Sequence, residues 1–361
     1  MGNTTLRAGI LGCGEIGRRG HIPGYQAAGA QVVAVCDTNI DRARSVAAEL
    51  NVPHAYADYH ELISRPDIDV VSVCLPNALH APATIAALEA GKHVLCEKPI
   101  AIHAADAERM IAAARKSGKL LSVNQHMRFD PAAQAMRRAV ANGDLGRVYL
   151  TDMRMVRAQG IPGFGSWFTN KDLAGAGALF DIGVHMLDLA LYITGFPRIT
   201  AVRGFTSMAL GEQKIGLGGW GIDRGTEGRY DVEDTAIAHL TLADGGVIRL
   251  IVTWAAFGLS EERVTLFGAK GGADRSTDRY GKDAPLQFYK PADGADGIHI
   301  EAMTPDLSIY LPGGTTRSIA CFVGAIRGEN PLIVQPEQAL AVLKVLEMIQ
   351  KSAASGQEVA A

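Results

Sequence analysis

The first third of the chain alternates short apolar runs with helical patterns, and this alternation restricts the fold more than any other feature. In order come LRAGIL, a helix, QVVAVC, DRARSVAAEL, DVVSVC, APATIAALEAG, KHVLC, DAERMIAAARKSG and KLLSVN. A helix between two strands carries the chain back to the end from which it started, so successive strands pair in parallel. The runs are apolar nearly throughout, as strands covered on both faces must be. Residues 1–125 are therefore expected to form an α/β domain built on a doubly wound parallel sheet.

After about Asn124 the pattern changes. A helix near 130–142 leads into RVYLTDMRMVRA, a Gly-rich helix from about 174 to 195, and alternating strands such as TAIAHLTLAD and VIRLIVTWAAF, joined by DGG turns. Strand, turn, strand without an intervening helix indicates an antiparallel sheet. The expectation is a second, α+β domain over 126–361 with a large open, mainly antiparallel sheet, closed by an amphipathic helix at about 336–355. An uncovered sheet face would leave a large apolar patch, so a homodimer or homotetramer is expected. The glycine-dense stretch 211–231 is long enough for a mobile loop beside a site or for a plain surface loop, and its residues suggest no ligand. There are no internal repeats.

A chain of 361 residues suits two such domains. Lys plus Arg is 35 against Asp plus Glu 38, and the net charge of −3 exerts no general pull on nucleic acid or an anionic membrane. No stretch reads as a membrane span. The five cysteines, Cys13, Cys36, Cys74, Cys96 and Cys321, are scattered and odd in number, which argues for a reducing, cytoplasmic setting over a disulfide framework. The opening MGNTTLRAGILGCG reads as a strand entering a glycine turn and not as a signal peptide. Arg18 and Arg19 lack the apolar core of a twin-arginine signal, and Leu6 occupies the Ser/Thr position of a myristoylation motif.

GILGCGEIG sets Gly12, Gly14 and Gly17 between the first strand and the first helix. In that context the first glycine permits a tight turn, the second lets backbone approach a pyrophosphate, and the third allows close helix packing. Asp37 ends the second strand 20 residues after Gly17. An acid there accepts hydrogen bonds from ribose hydroxyls and repels a 2′-phosphate, so NAD is expected over NADP, although Arg42 and Arg44 lie close by.

Two further motifs carry titratable groups. FDIGVHMLDL places Asp181 and His185 four apart, on one face if helical. A buried structural pair, two metal ligands and an acid/base pair are all compatible with that spacing. CEKPI, residues 96–100, sets Lys98 at a strand's carboxyl end, where ligands of such sheets bind.

Taken together, GCGEIG, LPNALHAPATIAALEAGKHVLCEKP, NQHMRFDP, GAGALFDIGVHMLDLAL and VEDTAIAHL resemble, in order and over nearly the whole length, the glucose-fructose oxidoreductase / inositol dehydrogenase / rhizopine catabolism (Gfo/Idh/MocA) family. The resemblance implies a Rossmann domain and hydride transfer between a nicotinamide and a secondary hydroxyl or ketone of a sugar or cyclic polyol. Two alternatives within it are an NAD-dependent glycosidase and a non-catalytic ligand sensor.

It also implies residue roles. Lys98 would contact the substrate hydroxyl, Asp181 would supply the acid, and His185 would act as general acid/base, with Arg128 and Trp167 joining them around the substrate. Gly12, Gly14, Glu15, Ile16, Gly17, Asp37, Leu75, Pro76, Asn77, His80, Glu97, Lys98 and Gln125 would line the cofactor, and Asn124 lies in the same segment. No metal is expected, since a redox zinc site wants three protein ligands and no thiolate or His-x-x-x-His accompanies the pair.

Overall fold

The computed structural model describes residues 5–221, 223, 225, 228–258, 260–277, 285–292, 297–303 and 311–361. The chain divides into two compact units, one of Met1–Phe129 with Ser308–Leu343 and the other of Asp130–Leu307 with Lys344–Ala361.

The first unit is built on β1 (Arg7–Leu11), β2 (Gln31–Cys36), β3 (His54–Tyr56), β4 (Val70–Val73), β5 (His93–Cys96) and β6 (Leu121–Val123). All pair in parallel in the order β3-β2-β1-β4-β5-β6. The apolar runs are the buried strands, and β4 is enclosed along its whole length. The short, partly exposed edge strand β3 has no such run. Strand order reverses between β1 and β4, which opens a crevice outside their carboxyl ends.

The expected division into 1–125 and 126–361 differs from this arrangement, because Ser308–Leu343 returns to the first unit. The helix Gly314–Arg327 carries Ile319, Phe322 and Val323 into the core formed by Ala8, Ile10, Ile22, Tyr25 and Val35. A Cβ at Gly24 would lie only 2.5 Å from Ile319 Cδ1, so the glycine is what lets this helix lie close. Nothing local marks the return, since the segment has an ordinary amphipathic pattern and the core it joins is nearly 300 residues earlier. The closing helix Pro336–Ser355 begins in the first unit and ends in the second.

The second unit holds β7 (Val148–Val156), β8 (Ile199–Ser207), β9 (Thr235–Leu242), β10 (Val247–Thr253), β11 (Glu261–Gly268), β12 (Gly272–Thr277), β13 (Leu286–Pro291), β14 (Ile298–Met303) and β15 (Val359–Ala360). Among the described residues they form one sheet in the order β14-β13-β12-β11-β7-β10-β9-β8-β15. It is antiparallel except between β7 and β10. Alternation sends Ala236, Ala238, Leu240, Ile248, Leu250, Val252, Met153, Met155, Val264 and Leu266 to one buried face.

A helix packs on that face. It starts later than the expected 174, with a π-type turn at Leu179–Gly183 that continues as α-helix over Val184–Thr194 and stops at Gly195 in the left-handed conformation. The delay follows from Gly177, where a Cβ would fall 1.9 Å from the Glu233 carbonyl oxygen, so the backbones of two segments touch there. Contrary to expectation, the helical run Lys171–Thr194 is apolar and long enough to cross a membrane by length and composition, but 94% of its most apolar 18-residue window is buried within the protein. Over Val184–Ile193 it is a core helix, apolar nearly all round because every residue there is buried.

Phe322→Ala is expected to cost about 3–5 kcal/mol and, although it changes a residue far from the N-terminus, to loosen the first unit. Hydrogen exchange should show lost protection in β1 and in Ile22–Ala27. Protection lost in β9 and β10 instead would contradict the assignment of this helix.

Candidate active site

The glycine turn of the first unit is decided by close backbone contacts. Gly12 has φ +100°, and a Cβ there would lie 2.1 Å from the Cys74 carbonyl oxygen. One at Gly17 would lie 2.1 Å from the Gly12 carbonyl oxygen. A Cβ at Gly14 would meet nothing within 4 Å. The first and third glycines are therefore required by the protein's own packing, while the second faces open space, as a position that receives a pyrophosphate should.

Around this turn Ile16 is exposed, and Glu15 points outward to Arg19 at 2.7 Å, which leaves its backbone amide as the part facing the turn. Asp37 is buried and accepts from the backbone amides of Cys13 (3.1 Å) and Asn39 (2.9 Å), with Arg42 at 3.4 Å. Burial first, and the Asp37 charge second, push the Cys13 thiol up to about 12, so it stays protonated.

The ends of β4 and β5 are tied together by polar groups. His80 is enclosed, with Nδ1 2.7 Å from the Pro99 carbonyl and Nε2 2.9 Å from the Leu75 carbonyl. Burial holds the imidazole below the ordinary histidine range although both carbonyls favour the charged ring. This corrects the expectation that His80 lines a cofactor, since the ring is enclosed between the Leu75 and Pro99 carbonyls and, when neutral, donates to one of them. Leu75 and Pro76 are half-buried on the crevice side of that ring, and Asn77 starts the short turn Asn77–Leu79.

Glu97 belongs to a buried chain of hydrogen bonds. Its Oε1 accepts from His21 Nε2 (2.8 Å) and Asn124 Nδ2 (2.7 Å), and its Oε2 from the Lys98 amide (3.1 Å). His21 Nδ1 lies 2.8 Å from Ser72 Oγ, which is 3.0 Å from the Tyr25 hydroxyl. Burial alone would raise the Glu97 pKa, but His21, Asn124 and Lys98 outweigh it and hold the carboxyl at about 2. The expected ribose contact is corrected to this extent: Glu97 is an anchor that fixes the backbone on which Lys98 stands.

Arg128 is another correction. It is wholly buried and donates to Gln338 Oε1 and the Ile333 carbonyl, so it ties down the returning segment instead of facing a substrate. Asn124 Oδ1 and Gln125 Oε1, in contrast, are buried acceptors without a hydrogen-bond partner among the described residues. Together with the open space at Gly14, these acceptors fit a crevice built to receive a dinucleotide.

In the second unit Asp181 lies inside the π-type turn and His185 at the start of the α-helix, so the spacing of four crosses a wider turn than an ordinary helix would give. His185 is only 8% exposed. The fully buried Trp254, just past β10, donates its indole N–H to Asp181 Oδ2 at 2.8 Å. Glu233 Oε1 accepts from the amides of Gly177 and Leu179, both at 2.9 Å, and so caps the helix from a different segment. Burial keeps its pKa raised despite those donors. Asp234 accepts from Leu210 and Gly211, which pins the entrance of the glycine-dense stretch.

The glycines of that stretch prove to be contact points, although residues 222, 224, 226 and 227 lie outside the described set. Gly216 and Gly218 exchange backbone hydrogen bonds with Gly160 and Ile161. Trp220 donates its indole N–H to the Gly160 carbonyl and meets Phe168 edge-on at 5.0 Å. Phe168 in turn stacks on Trp167 at 3.7 Å. The half-buried Trp167 is thus part of an aromatic cluster.

His21, Ser72, Tyr25 and Trp254 were not singled out by the sequence. His21 sits four residues after Gly17, yet nothing local distinguishes it from a surface histidine. Among the described residues no group of three or more His, Cys, Asp or Glu side chains is placed to hold a metal.

Comparison with known proteins adds to this geometry. Residues 6–125 match a family model described as an oxidoreductase family with an NAD-binding Rossmann fold, and residues 133–274 match the GFO/IDH/MocA C-terminal domain. The chain is 34% identical over 365 residues to D-glucoside 3-dehydrogenase of Escherichia coli K12, covering 99% of this chain and 98% of that protein. It is 30% identical over 274 residues to levoglucosan dehydrogenase of Pseudarthrobacter phenanthrenivorans, covering 73% of this chain and 68% of that protein. A solved structure of levoglucosan dehydrogenase in complex with NADH and L-sorbose superposes with a TM-score of 0.85 at 25% identity, covering 99% of this chain and 98% of that one.

The Glu97 network has a pH signature. Its folded pKa lies below the ordinary 4.5, so the stability it contributes is complete above about 4.5 and is lost as the pH falls toward 2. Glu97→Gln should lower the melting temperature at neutral pH and flatten its decline over that acid range. Parallel decline in both proteins would show that the network contributes nothing.

Proposed function

Since the chain belongs to the Gfo/Idh/MocA family of NAD-binding oxidoreductases, we propose that it transfers a hydride between NAD and a secondary hydroxyl or ketone of a pyranose or cyclic polyol. The observation that carries the reading is Asp181, a carboxylate fixed by the Trp254 indole within one turn of a nearly enclosed imidazole, His185.

Bound NAD supplies the hydride acceptor; the remaining tasks fall to this chain. The turn at Gly12–Gly17 offers backbone amides to the pyrophosphate, Asp37 takes the ribose, and Asn124 Oδ1 and Gln125 Oε1 supply buried acceptors. Oxidation of an alcohol also requires removal of the hydroxyl proton. His185 takes that proton, since a neutral imidazole is basic enough near pH 7. Lys98 stabilises the developing charge on oxygen from its anchored turn. Asp181, immobilised by Trp254, orients the ring of His185 or a neighbouring hydroxyl. The names of relatives, acting on D-glucosides, levoglucosan and myo-inositol, support a cyclic polyhydroxyl substrate.

Self-association through the outer face of the second unit's sheet is part of the same proposal. One row across that face runs Arg203, His239, Arg249, Asp152, with Arg249 gripping Asp152 at 2.7 and 2.5 Å. The next row runs Phe205, Ile237, Ile251, Arg154, and Phe205 is 56% exposed. A row carrying the Arg249–Asp152 pair beside a largely apolar row that ends in exposed Phe205 suits burial against a second copy.

His185→Ala is expected to lower kcat by about 10²–10⁴-fold while NADH still binds, as read by NADH fluorescence titration beside steady-state turnover of a sugar panel. Turnover intact in that variant would sink the role of His185. Light scattering should give a dimer or tetramer that shifts toward monomer in Phe205→Glu, and a wild-type monomer at micromolar concentration would rule out the interface.

A further inference from the structure

Among the described residues Arg157 is the half-buried arginine whose guanidinium has neither an ion pair nor a hydrogen bond. Other arginines of comparable burial are held, Arg65 by Asp67, Arg154 and Arg249 by Asp152, and Arg275 by Asp130 and Glu262. A charge withdrawn from water without an acceptor is costly, and an anionic ligand offsets that cost.

Its position connects it to the candidate site. The Arg157 amide donates to the Thr253 carbonyl at 3.1 Å, which extends the parallel pairing of β7 and β10 by one step. Alternation along β7 puts Met153 and Met155 on the buried, helix-bearing face, and Arg157 is next in that series. The same face of β10 carries Leu250 and Val252 and leads to Trp254, the residue that holds Asp181. Gly160 locks the arrangement, because a Cβ there would lie 2.6 Å from both Arg157 Cδ and the Trp254 carbonyl oxygen. On its other side Gly160 accepts the Trp220 indole, which leads through Phe168 to Trp167.

We infer that Arg157 is a specificity residue that holds a carboxylate on the substrate ring, so that the preferred substrates are acidic pyranoses: uronic acids or their glycosides. The assignment rests on the sugar-oxidation reading above. A planar guanidinium takes a carboxylate bidentately and its single charge balances a single carboxylate, whereas a neutral hydroxyl would leave the half-buried charge uncompensated. Indole and phenyl faces suit the apolar face of a pyranose. The carboxylate is a spectator in the reaction. The C–H bond of a secondary carbinol gives its electron pair as hydride to bound NAD, the O–H proton passes to His185, and the C=O bond forms, giving a keto-uronide, NADH and a proton.

The test compares methyl β-D-glucopyranosiduronate with methyl β-D-glucopyranoside, which differ only in carboxylate against CH₂OH. Wild-type kcat/KM should favour the uronide, mainly through KM, and Arg157→Met should cut the uronide-to-pyranoside ratio by about 10- to 100-fold, with Arg157→Lys between. Wild-type preference for the neutral glycoside, or equal losses on both substrates, would overturn the assignment. If neither compound reduces NAD, the oxidation reading fails for these two glycosides, and calorimetric titration of the uronide into the NADH-loaded protein then decides Arg157. Binding lost in Arg157→Met and partly kept in Arg157→Lys supports the assignment, and binding absent in wild type or unchanged in Arg157→Met rejects it.

Discussion

The contact between Gly12 and Cys74 governs the first unit. β1 and β4 sit side by side at the point where strand order reverses, and their carboxyl ends approach until only a hydrogen fits between them. A methyl group at Gly12 would overlap a backbone carbonyl that cannot move without shifting β4. The turn leads straight into the π-type turn Gly17–His21, and a helix N-terminus of this kind offers amide donors to an anion.

Polar groups at the crevice hold other protein groups first. Glu97, Asn124 and His21 fix one another, and this triad defines where the backbone of Lys98 runs. His80 performs a similar task between Leu75 and Pro99. The second unit follows the same logic with different parts, since Trp254 holds Asp181, Glu233 caps the helix and Asp234 pins the neighbouring loop. Each of these constellations is preorganised within its own unit, since its side chains are positioned by buried hydrogen bonds, which are strong in a low-dielectric interior and costly to break.

Arg157 stands apart from this pattern because its neighbours are satisfied and it is not. Among the described residues the other half-buried arginines are matched within the chain, and the unmatched one marks where a partner from outside fits.

The fold class and most of the strands were legible in the sequence. Buried parallel strands impose continuous apolar runs, half-buried antiparallel strands impose alternation, and a tight βα turn admits only glycine at Gly12 and Gly17; each is a local requirement that leaves a local mark. Asp37, Asp181 and His185 also lie in motifs of fixed spacing, which is what brings them forward as candidates. What only the tertiary structure decided is which groups meet across long separations. Examples are Ser308–Leu343 joining a core nearly 300 residues away, His21 finding Glu97, Trp254 finding Asp181, and His80 and Arg128 turning inward instead of toward a ligand. Hydrogen bonding and side-chain packing depend on distances between segments that periodicity does not encode, so a polar residue reads the same in sequence whether it faces a substrate or a carbonyl of its own chain.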